Sequence, residues 1–213
     1  MSKVSIITLV NDIELYDKCV RKSFGNSPVE LISVMYPESA ASGLNEGIDL
    51  AKNDLIVMCH QDVVFPENWI EKLQQQIALI NDSNFGVLGV YGIKYDCSDG
   101  IGNVKSGNRK LHRGNPPGLA MSLDECCLII RKSSGLRFDE SLVLFHMYGA
   151  DICLTAYSKG MNCYAIDAEV CHLSNNLERT QSFLDAVEWF KNKWVGKTKF
   201  KEYRTTCCPR FAL

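Results

Sequence analysis

The run Leu55–Phe65 constrains the fold more than any other stretch of the chain. Its first half is apolar and uncharged, which is typical of a strand buried on both faces of a sheet. The run stops at His60, Gln61 and Asp62, and open α/β sheets bind ligands outside the C-terminal ends of their strands. Because His60 and Asp62 are two residues apart, an extended backbone points both side chains the same way, where they can hold a divalent cation. The alternative is a polar strand end without function, since HxD alone is a weak motif.

Strand and helix patterns alternate around this run over roughly the first 95 residues. The other predicted strands are Val4–Val10, Val29–Met35 and Phe85–Ile93. Helices are predicted to begin after Asn11-Asp12, at Ser39 and at Pro66. This alternation predicts an α/β fold with a doubly wound, mostly parallel central sheet and helices on both faces. No GxGxxG follows the first strand and no GxxxxGK[ST] occurs, which argues against a dinucleotide-binding dehydrogenase and a P-loop enzyme.

The second half of the chain shows a less regular pattern. The predicted elements are strands at Leu123–Arg131 and Asn162–Ile166, a helix at Ile152–Lys159, and a last helix striped by Phe183, Val187, Phe190 and Trp194. Residues 96–118 are rich in Gly, Asn and Ser and carry five basic or imidazole side chains, so we expect a flexible loop that is either functional or merely solvated. The tail after Gly196 is basic and is expected to pack poorly. Without a repeat or a linker, residues 1–213 are predicted to form a single domain.

Composition bears on nucleic acid as a partner and on the cellular compartment. The chain is 46% hydrophobic with a net charge of −2, which gives no general reason to expect nucleic acid as a partner. No apolar run approaches the roughly 18 residues of a membrane span, and the N-terminus lacks a signal-peptide pattern, so we expect a cytoplasmic protein. The ten cysteines do not form CxxC pairs, and we expect free thiols in a reducing cytosol.

Several motifs, taken in order, resemble one known family. They are VSIITLVND from Val4, SGLNEG from Ser42, HQDV from His60, FDE from Phe138, and GADICL from Gly149 followed by Gly160, Asp167 and His172. They span about residues 3–175 and resemble the inverting family-two glycosyltransferases of the GT-A fold. The resemblance implies a single GT-A-like domain with a Rossmann-like sheet. It also implies that residues 1–95 bind a nucleotide-sugar and that residues 119–195 form the acceptor and catalytic half, with the flexible loop 96–118 between them.

The resemblance implies a metal site and a set of donor contacts. A DxD-like motif in such enzymes holds a divalent metal on the diphosphate; Asp62 matches its last acid, and His60 stands where its first acid usually lies. His172 matches a histidine that completes the metal site. Because neutral imidazole is a better ligand for Mn²⁺ than for Mg²⁺, the expected cofactor is Mn²⁺ or Mg²⁺, with Mn²⁺ favoured. The residues at donor-contact positions are Thr8, Val10, Asn11, Glu38, Asn45 and Gln61.

The resemblance also implies a catalytic base. The family's second carboxylate motif holds this base, and Asp151 is the acid that remains here, because Ala150 replaces the other. Asp151 precedes the predicted helix, where the helix dipole and free N–H groups would keep it ionised and able to take a proton from an acceptor hydroxyl. The alternative is a structural helix N-cap. The residues expected on the acceptor side are Asp124, Glu125, His146 and Tyr148.

Together these expectations define one function and its rivals. The resemblance implies hexosyl or related sugar transfer from a nucleotide-sugar to a hydroxyl of a glycan, a lipid-linked sugar or another acceptor, with peripheral membrane contact left open. The sequence lacks the QxxRW motif and the membrane helices of processive synthases, which favours a single transfer. The main alternative is a non-catalytic nucleotide-sugar-binding module with a degenerate metal motif. A metal-dependent nucleotidyltransferase ranks last, because no Gly-rich basic signature follows the first strand.

Overall fold

The computed structural model describes residues 3–25, 27–174 and 179–213. The strands are β1 (Val4–Val10), β2 (Glu30–Met35), β3 (Leu55–His60), β4 (Val63–Val64), β5 (Phe85–Gly89), β6 (Tyr91–Lys94), β7 (Gly100–Ser106), β8 (Arg109–Arg113), β9 (Gly118–Leu123), β10 (Cys127–Arg131), β11 (Asn162–Ala165), β12 (Cys171–His172), β13 (Glu202–Tyr203) and β14 (Phe211–Ala212). The helices are α1 (Ile13–Tyr16), which continues through π-helical Asp17–Arg21 into α2 (Lys22–Phe24), then α3 (Ala40–Leu50), α4 (Trp69–Ile80), α5 (Tyr148–Ser158) and α6 (Gln181–Trp194).

One large sheet organises the molecule. Its strand order is β2-β1-β3-β10-β5-β11-β9-β6-β7-β12-β4, with β8 paired to β7. β1 pairs in parallel with β2 and β3, and β5 pairs in parallel with β11. β10 lies between β3 and β5 and is antiparallel to both, so β5 and β11 run in the same direction as the first three strands. The predicted α/β fold with a mostly parallel central sheet is confirmed, and β10 is an antiparallel insertion in it.

Helices cover both faces of this sheet. On β10, Leu128 packs into a core with residues of α3, α5 and α6, whereas its neighbour Ile129 packs into a second core with residues of α4. Met58 and Val57 of β3 divide between the two cores in the same way. Successive side chains of a strand point to opposite faces, so strands covered on both sides require uninterrupted apolar runs like the one in β3.

The insertion of β10 brings a turn of the second half to the end of β3. In the pairing of β10 with β3, Cys127 lies opposite Cys59. The His60 N–H donates to the carbonyl of Cys126 at 3.1 Å. The turn formed by residues 124–126 therefore lies beside the polar end of β3. Residues far apart in sequence meet at this point of the sheet.

Three predicted elements have different bounds in the structure. Phe85–Ile93 is divided into β5 and β6, and Leu123–Arg131 is divided between the end of β9 and β10. Each of these runs changes its pairing partners midway, and an apolar pattern does not reveal this because both parts are buried. The helix predicted to begin at Ile152 begins at Tyr148.

Residues 96–118 are predicted as a loop, whereas the structure contains the hairpin of β7 and β8 in this stretch. β7 pairs with β6, β8 and β12. Buried Ile101 and Val104 anchor β7. Because Gly, Asn and Ser residues surround these two apolar residues, the sequence shows no clear strand pattern here. The flexibility of the segment stays a prediction.

The tail after Gly196 packs against the domain, contrary to expectation. Phe200, Tyr203 and Cys208 are buried, and the Tyr203 hydroxyl donates to the carbonyl of Met121 at 3.0 Å. The ring of Tyr203 also lies 5.2 Å from that of Phe190 on α6. Aromatic residues bury a large apolar area each, which outweighs the basic character of the tail.

The described residues also bear on membrane contact and thiol chemistry. In residues 3–25, 27–174 and 179–213, no helix has the length and apolar character needed to cross a membrane. The ten cysteines are free thiols and most are buried. Buried thiols pack as small apolar groups.

Candidate functional site

Three side chains that suit a metal ion meet at the C-terminal end of β3, and we call them the cation cluster. His60 ends β3, Asp62 follows in the next turn, and His172 comes from β12, 112 residues after His60. β12 reaches this point because it pairs with β4, which directly follows Asp62. One ligand atom from each side chain lies within 4.8 Å of the other two. The structure thus brings together the three predicted metal ligands.

The contacts at His172 fit a cation better than they fit hydrogen bonds alone. Its Nε2 lies 3.2 Å from Nδ1 of His60, 3.3 Å from Oδ1 of Asp62 and 3.0 Å from Oγ of Ser174. One ring nitrogen either donates one proton or accepts one, so it cannot satisfy three polar partners at once. Two imidazoles and a carboxylate form a donor set that suits Mn²⁺.

The surroundings keep Asp62 and His60 in metal-binding forms. Burial alone would raise the pKa of Asp62, but the hydrogen bond and charge of His172 hold it well below its usual range. Burial and the neighbouring His172 lower the pKa of His60. Burial also acts to lower the pKa of His172, but Asp62 outweighs it and the pKa is raised. At neutral pH, Asp62 is therefore an anion and the imidazole of His60 is neutral.

A cavity of about 580 Å³ opens beside the cation cluster, at the end of β1. We call it the β1 cavity, and the predicted donor contacts that line it are Val10, Asn11 and Gln61. Gln61 accepts hydrogen bonds from the N–H groups of Asn11 and Asp12, both at 3.0 Å. Its carbonyl oxygen therefore holds the loop after β1 in place.

The other three predicted donor contacts do not line the β1 cavity. Thr8 is buried in β1, with its hydroxyl 3.3 Å from Sγ of Cys59. Asn45 is also buried, and its amide group donates to the carbonyl of Phe138 at 3.0 Å. Glu38 is exposed outside the cavity. The polar groups of Thr8 and Asn45 thus contact other groups of the protein.

A second cavity of about 630 Å³ is lined by His60 and His172 of the cation cluster, and the tail forms part of its wall. We call it the tail cavity, because residues 204–207 line it. Three residues predicted on the acceptor side, Asp124, Glu125 and His146, line it too. The Thr206 hydroxyl donates to Oδ2 of Asp124 at 2.8 Å, which joins the tail to the turn before β10.

Tyr148, the fourth residue predicted on the acceptor side, lines the β1 cavity instead. Its buried hydroxyl lies 2.9 Å from Nε2 of His60. A hydrogen bond at Nε2 leaves Nδ1, the nitrogen that faces His172, for a metal. Tyr148 thus orients a predicted metal ligand.

The two cavities share His60, Glu125 and Ser174 in their linings. Oε1 of Glu125 accepts a hydrogen bond from the N–H of Gly149 at 2.9 Å. Burial raises the pKa of Glu125 to about 8, although this and other backbone hydrogen bonds act to lower it. A carboxyl group that titrates near physiological pH at such a junction suits proton exchange with a ligand.

Asp151, the predicted base, lines neither cavity. The residue is 1% exposed, because α5 begins earlier than expected and carries Asp151 into the packed first turn. Oδ1 accepts from Nε1 of Trp194 at 2.7 Å and lies 2.7 Å from Nζ of Lys193. Burial raises the pKa of Asp151, although Lys193 and Trp194 lower it, so the net direction is opposite to that expected for a helix start. The structure therefore places the predicted base in a contact between α5 and α6.

Several residues that line the cavities are missed by the sequence analysis. Tyr36 lines the β1 cavity, and Arg179, Arg204 and Thr206 line the tail cavity. The sequence feature that could have identified Tyr36 is an aromatic residue at a strand end, directly before a proline. For the tail, the signal is its aromatic residues, which indicate that it packs.

Comparisons with known proteins identify a family. The sequence profile described as "Glycosyltransferase like family" matches residues 5–114. The protein "ATP synthase subunits region ORF 6" of Fuscovulum blasticum is 28% identical over 190 residues, which cover 79% of this chain and 74% of that protein.

Solved structures resemble the fold at low sequence identity. The mannosyltransferase PcManGT from Pyrobaculum calidifontis, in complex with GDP-Man and Mn²⁺, has a TM-score of 0.55 at 10% identity; the match covers 84% of this chain and 58% of that one. S. aureus TarS 1-349 in complex with UDP-GlcNAc has a TM-score of 0.55 at 12% identity, covering 94% of this chain and 68% of that one. This chain thus spans little more than half of the mannosyltransferase. Since the family profile covers just over half of this chain, the protein belongs to the glycosyltransferase-like family and has the α/β GT-A fold.

Proposed function

We propose that this chain is an inverting glycosyltransferase that moves one sugar per reaction from a nucleotide-sugar to an acceptor hydroxyl. The observation that carries the proposal is that two cavities meet where the cation cluster and Glu125 lie. Sugar transfer needs such a junction, because donor and acceptor must be held together at the anomeric carbon. The sugar nucleotides held by PcManGT and TarS support this class of donor.

The β1 cavity suits the nucleotide part of the donor. Most of its lining comes from residues 1–95, which we propose as the donor half. It combines an apolar wall with the exposed ring of Tyr36 and the backbone of Val10 and Asn11. The cation cluster would hold Mn²⁺, which when bound offsets negative charge on the leaving diphosphate.

Glu125 is the residue that we assign as the base, in place of Asp151. In the proposed step, the acceptor oxygen forms a bond to the anomeric carbon while the bond from that carbon to the diphosphate oxygen breaks. The acceptor proton passes to the carboxylate of Glu125, which lines both cavities. Asp151 lines neither cavity, and both of its oxygens already contact Lys193 or Trp194.

The number of carboxyl groups at the junction supports inversion. A single displacement needs one base, whereas a double displacement needs a nucleophile that forms a covalent intermediate. Among the described residues, Glu125 is the one carboxyl group outside the cation cluster that lines both cavities. Single rather than processive transfer is supported by the missing QxxRW motif in the sequence.

Replacing Asp62 tests the cation cluster. We expect UDP or GDP to bind the wild type more tightly with Mn²⁺ than without it, and to raise its melting temperature. Asp62→Asn removes the charge but can still accept the hydrogen bond from the N–H of Ser174, which lies 3.0 Å from Oδ2. This variant should lose about tenfold or more of the Mn²⁺-dependent affinity in calorimetry. The control is Asp185→Asn, at an exposed position of α6.

Unchanged Mn²⁺-dependent binding in Asp62→Asn would remove the cluster from the site. Catalysis itself is tested by release of nucleoside diphosphate from a panel of UDP-, GDP-, dTDP- and CDP-sugars. A wild type that binds one of them but releases no product with any acceptor would identify a non-catalytic binding module.

A further inference from the structure

We propose that the acceptor carries a phosphate or phosphodiester group, which Arg109, Arg179 and Arg204 bind in the tail cavity. The inference rests on the proposed function, because it names the substrate class of the same site. All three arginines line the tail cavity. They come from three distant parts of the chain: the start of β8, the segment before α6, and the tail.

The three arginines have no ion-paired carboxylate within the described part of the chain, whereas some arginines elsewhere do. Arg21 pairs with Asp17 at 2.8 Å and Arg210 pairs with Glu202 at 3.1 Å. Arg204 donates to the carbonyl of Ser98 at 3.0 Å, a contact that positions the guanidinium group without neutralising it.

The acids of the tail cavity are engaged with other groups. Oδ1 of Asp99 accepts the N–H of Gly100 at 2.7 Å, and Asp124 accepts from Thr206. Glu125 accepts the N–H of Gly149. No carboxylate of residues 3–25, 27–174 or 179–213 lies within ion-pair distance of the three guanidinium groups. Three guanidinium groups around one cavity, without an ion-pair partner among the described residues, suit a multivalent anion, and guanidinium groups bind phosphate oxygens in pairs.

The arrangement assigns this anion to the acceptor rather than to the donor. The β1 cavity has no arginine or lysine among its described lining residues. Arg204 lies two residues before Thr206, whose hydroxyl contacts Asp124, the neighbour of Glu125. Arg109 and Arg179 are exposed, whereas Glu125 is half-buried. A hydroxyl of the acceptor therefore points toward Glu125 while its phosphate stays near the rim.

Glycerol 1-phosphate and glycerol are matched probes, since they share hydroxyl groups and differ in the phosphate. In calorimetric titrations with Mn²⁺ and nucleoside diphosphate present, we expect the wild type to bind glycerol phosphate at least tenfold more tightly than glycerol. Arg179→Gln and Arg204→Gln should each weaken this binding about tenfold, and Arg204→Lys should restore part of it. Arg21→Gln, which removes an exposed arginine elsewhere, is the control.

Binding to vesicles separates the two sources of the phosphate. Vesicles of phosphatidylglycerol and of phosphatidylcholine distinguish a lipid-borne phosphate from a free one: arginine-dependent binding to the first vesicles alone indicates a lipid acceptor, and arginine-dependent binding of soluble glycerol phosphate indicates a free one. Equal affinity of the wild type for glycerol phosphate and glycerol, without binding to either vesicle, would overturn the inference. So would Arg179→Gln or Arg204→Gln variants that weaken nucleoside diphosphate binding as much as acceptor binding. Because these are binding measurements, they remain informative even if no sugar transfer is found.

Discussion

At the scale of single residues, a substitution at Glu125 distinguishes a loss of catalysis from a loss of donor binding. Glu125→Gln keeps an oxygen that can accept the hydrogen bond from Gly149, but the amide cannot take up a proton. We expect the transfer rate to fall by about 10²–10⁴-fold, the usual contribution of a positioned base, with donor affinity within about twofold of the wild type. Donor hydrolysis serves as the first assay. If Glu125→Gln transfers sugar as fast as the wild type, Glu125 is not the base.

The pH dependence of the reaction gives an independent test of Glu125. Burial raises its pKa to about 8, and only the ionised form accepts a proton. We expect kcat/KM to rise about tenfold per pH unit below pH 8 and to level off above it, and this limb should be absent in Glu125→Gln. The effect of Glu125 on folding stability changes with pH in the other direction. Because its pKa is raised in the folded state, the folded state binds more protons than the unfolded state, and the stabilisation from the protonated carboxyl group is lost as pH rises toward 8. A flat wild-type profile between pH 6 and 9 would contradict the assignment.

The backbone conformation of Tyr36 indicates a functional role for its side chain. It is 70% exposed and has a φ of +48°, an unfavourable conformation for a bulky residue, held by a hydrogen bond from its N–H to the carbonyl of Val10 at 2.9 Å. An exposed ring on the β1 cavity can stack on a nucleotide base. Tyr36→Ala should therefore weaken UDP or GDP binding by about tenfold in calorimetry. Glu38→Ala, outside the cavity, should change this binding less than twofold; the reverse result would restore Glu38 as a donor contact.

The sequence predicts the residues of the site only where local geometry determines their position. His60 and Asp62 are two residues apart on one strand, so the period of a strand alone brings them together. Asn45 and Thr8 match the family pattern, but their polar groups contact Phe138 and Cys59, which lie far away in the chain. Such partners follow from tertiary packing and leave no local signal.

At the scale of elements, Asp151 joins two helices. Lys193 of α6 lies between Asp151 of α5 and Asp139, at 2.7 Å and 2.8 Å. Asp151→Asn leaves part of the charge of Lys193 without its buried partner, so we expect the free energy of unfolding to fall by about 1–3 kcal/mol in urea denaturation. Asp185→Asn on the exposed side of α6 should change it by less than about 0.5 kcal/mol.

The same variant also decides the role of Asp151 in catalysis. We expect transfer per folded molecule to stay within a few-fold of the wild type, because Asp151 lines neither cavity. A loss of 10²-fold or more, with stability unchanged, would make Asp151 the base and remove Glu125 from that role.

Helices and strands were predictable where one periodic pattern coincided with one element. β1 and β3 match their predicted runs because each carries a single apolar pattern between clear end signals, whereas α4 begins at Trp69, three residues after its predicted start. The tail shows the opposite case, since buried Tyr203 packs against α6 although its neighbours in sequence are charged. Burial of a few aromatic side chains depends on a surface that only the folded domain provides.

At the scale of the whole molecule, the two parts of the chain that we propose as donor and acceptor halves interlock. The family profile ends at residue 114, yet β5 of the first half lies between β10 and β11 of the second half. The sheet therefore does not divide into two separate layers at the predicted boundary. The pattern of the sequence could not indicate this, because strand order is set by pairing between residues that are far apart.

The position of β10 has a consequence for the nascent chain. While the ribosome synthesises the residues between β3 and β10, the polypeptide holds an apolar strand whose final neighbour does not yet exist. At typical elongation rates this lasts on the order of ten seconds, and unpaired apolar strand edges invite association with other chains. The first half of the sheet thus leaves the ribosome with the edge of β3 still unpaired. Its binding surface becomes complete only after the turn that carries Glu125 has been made.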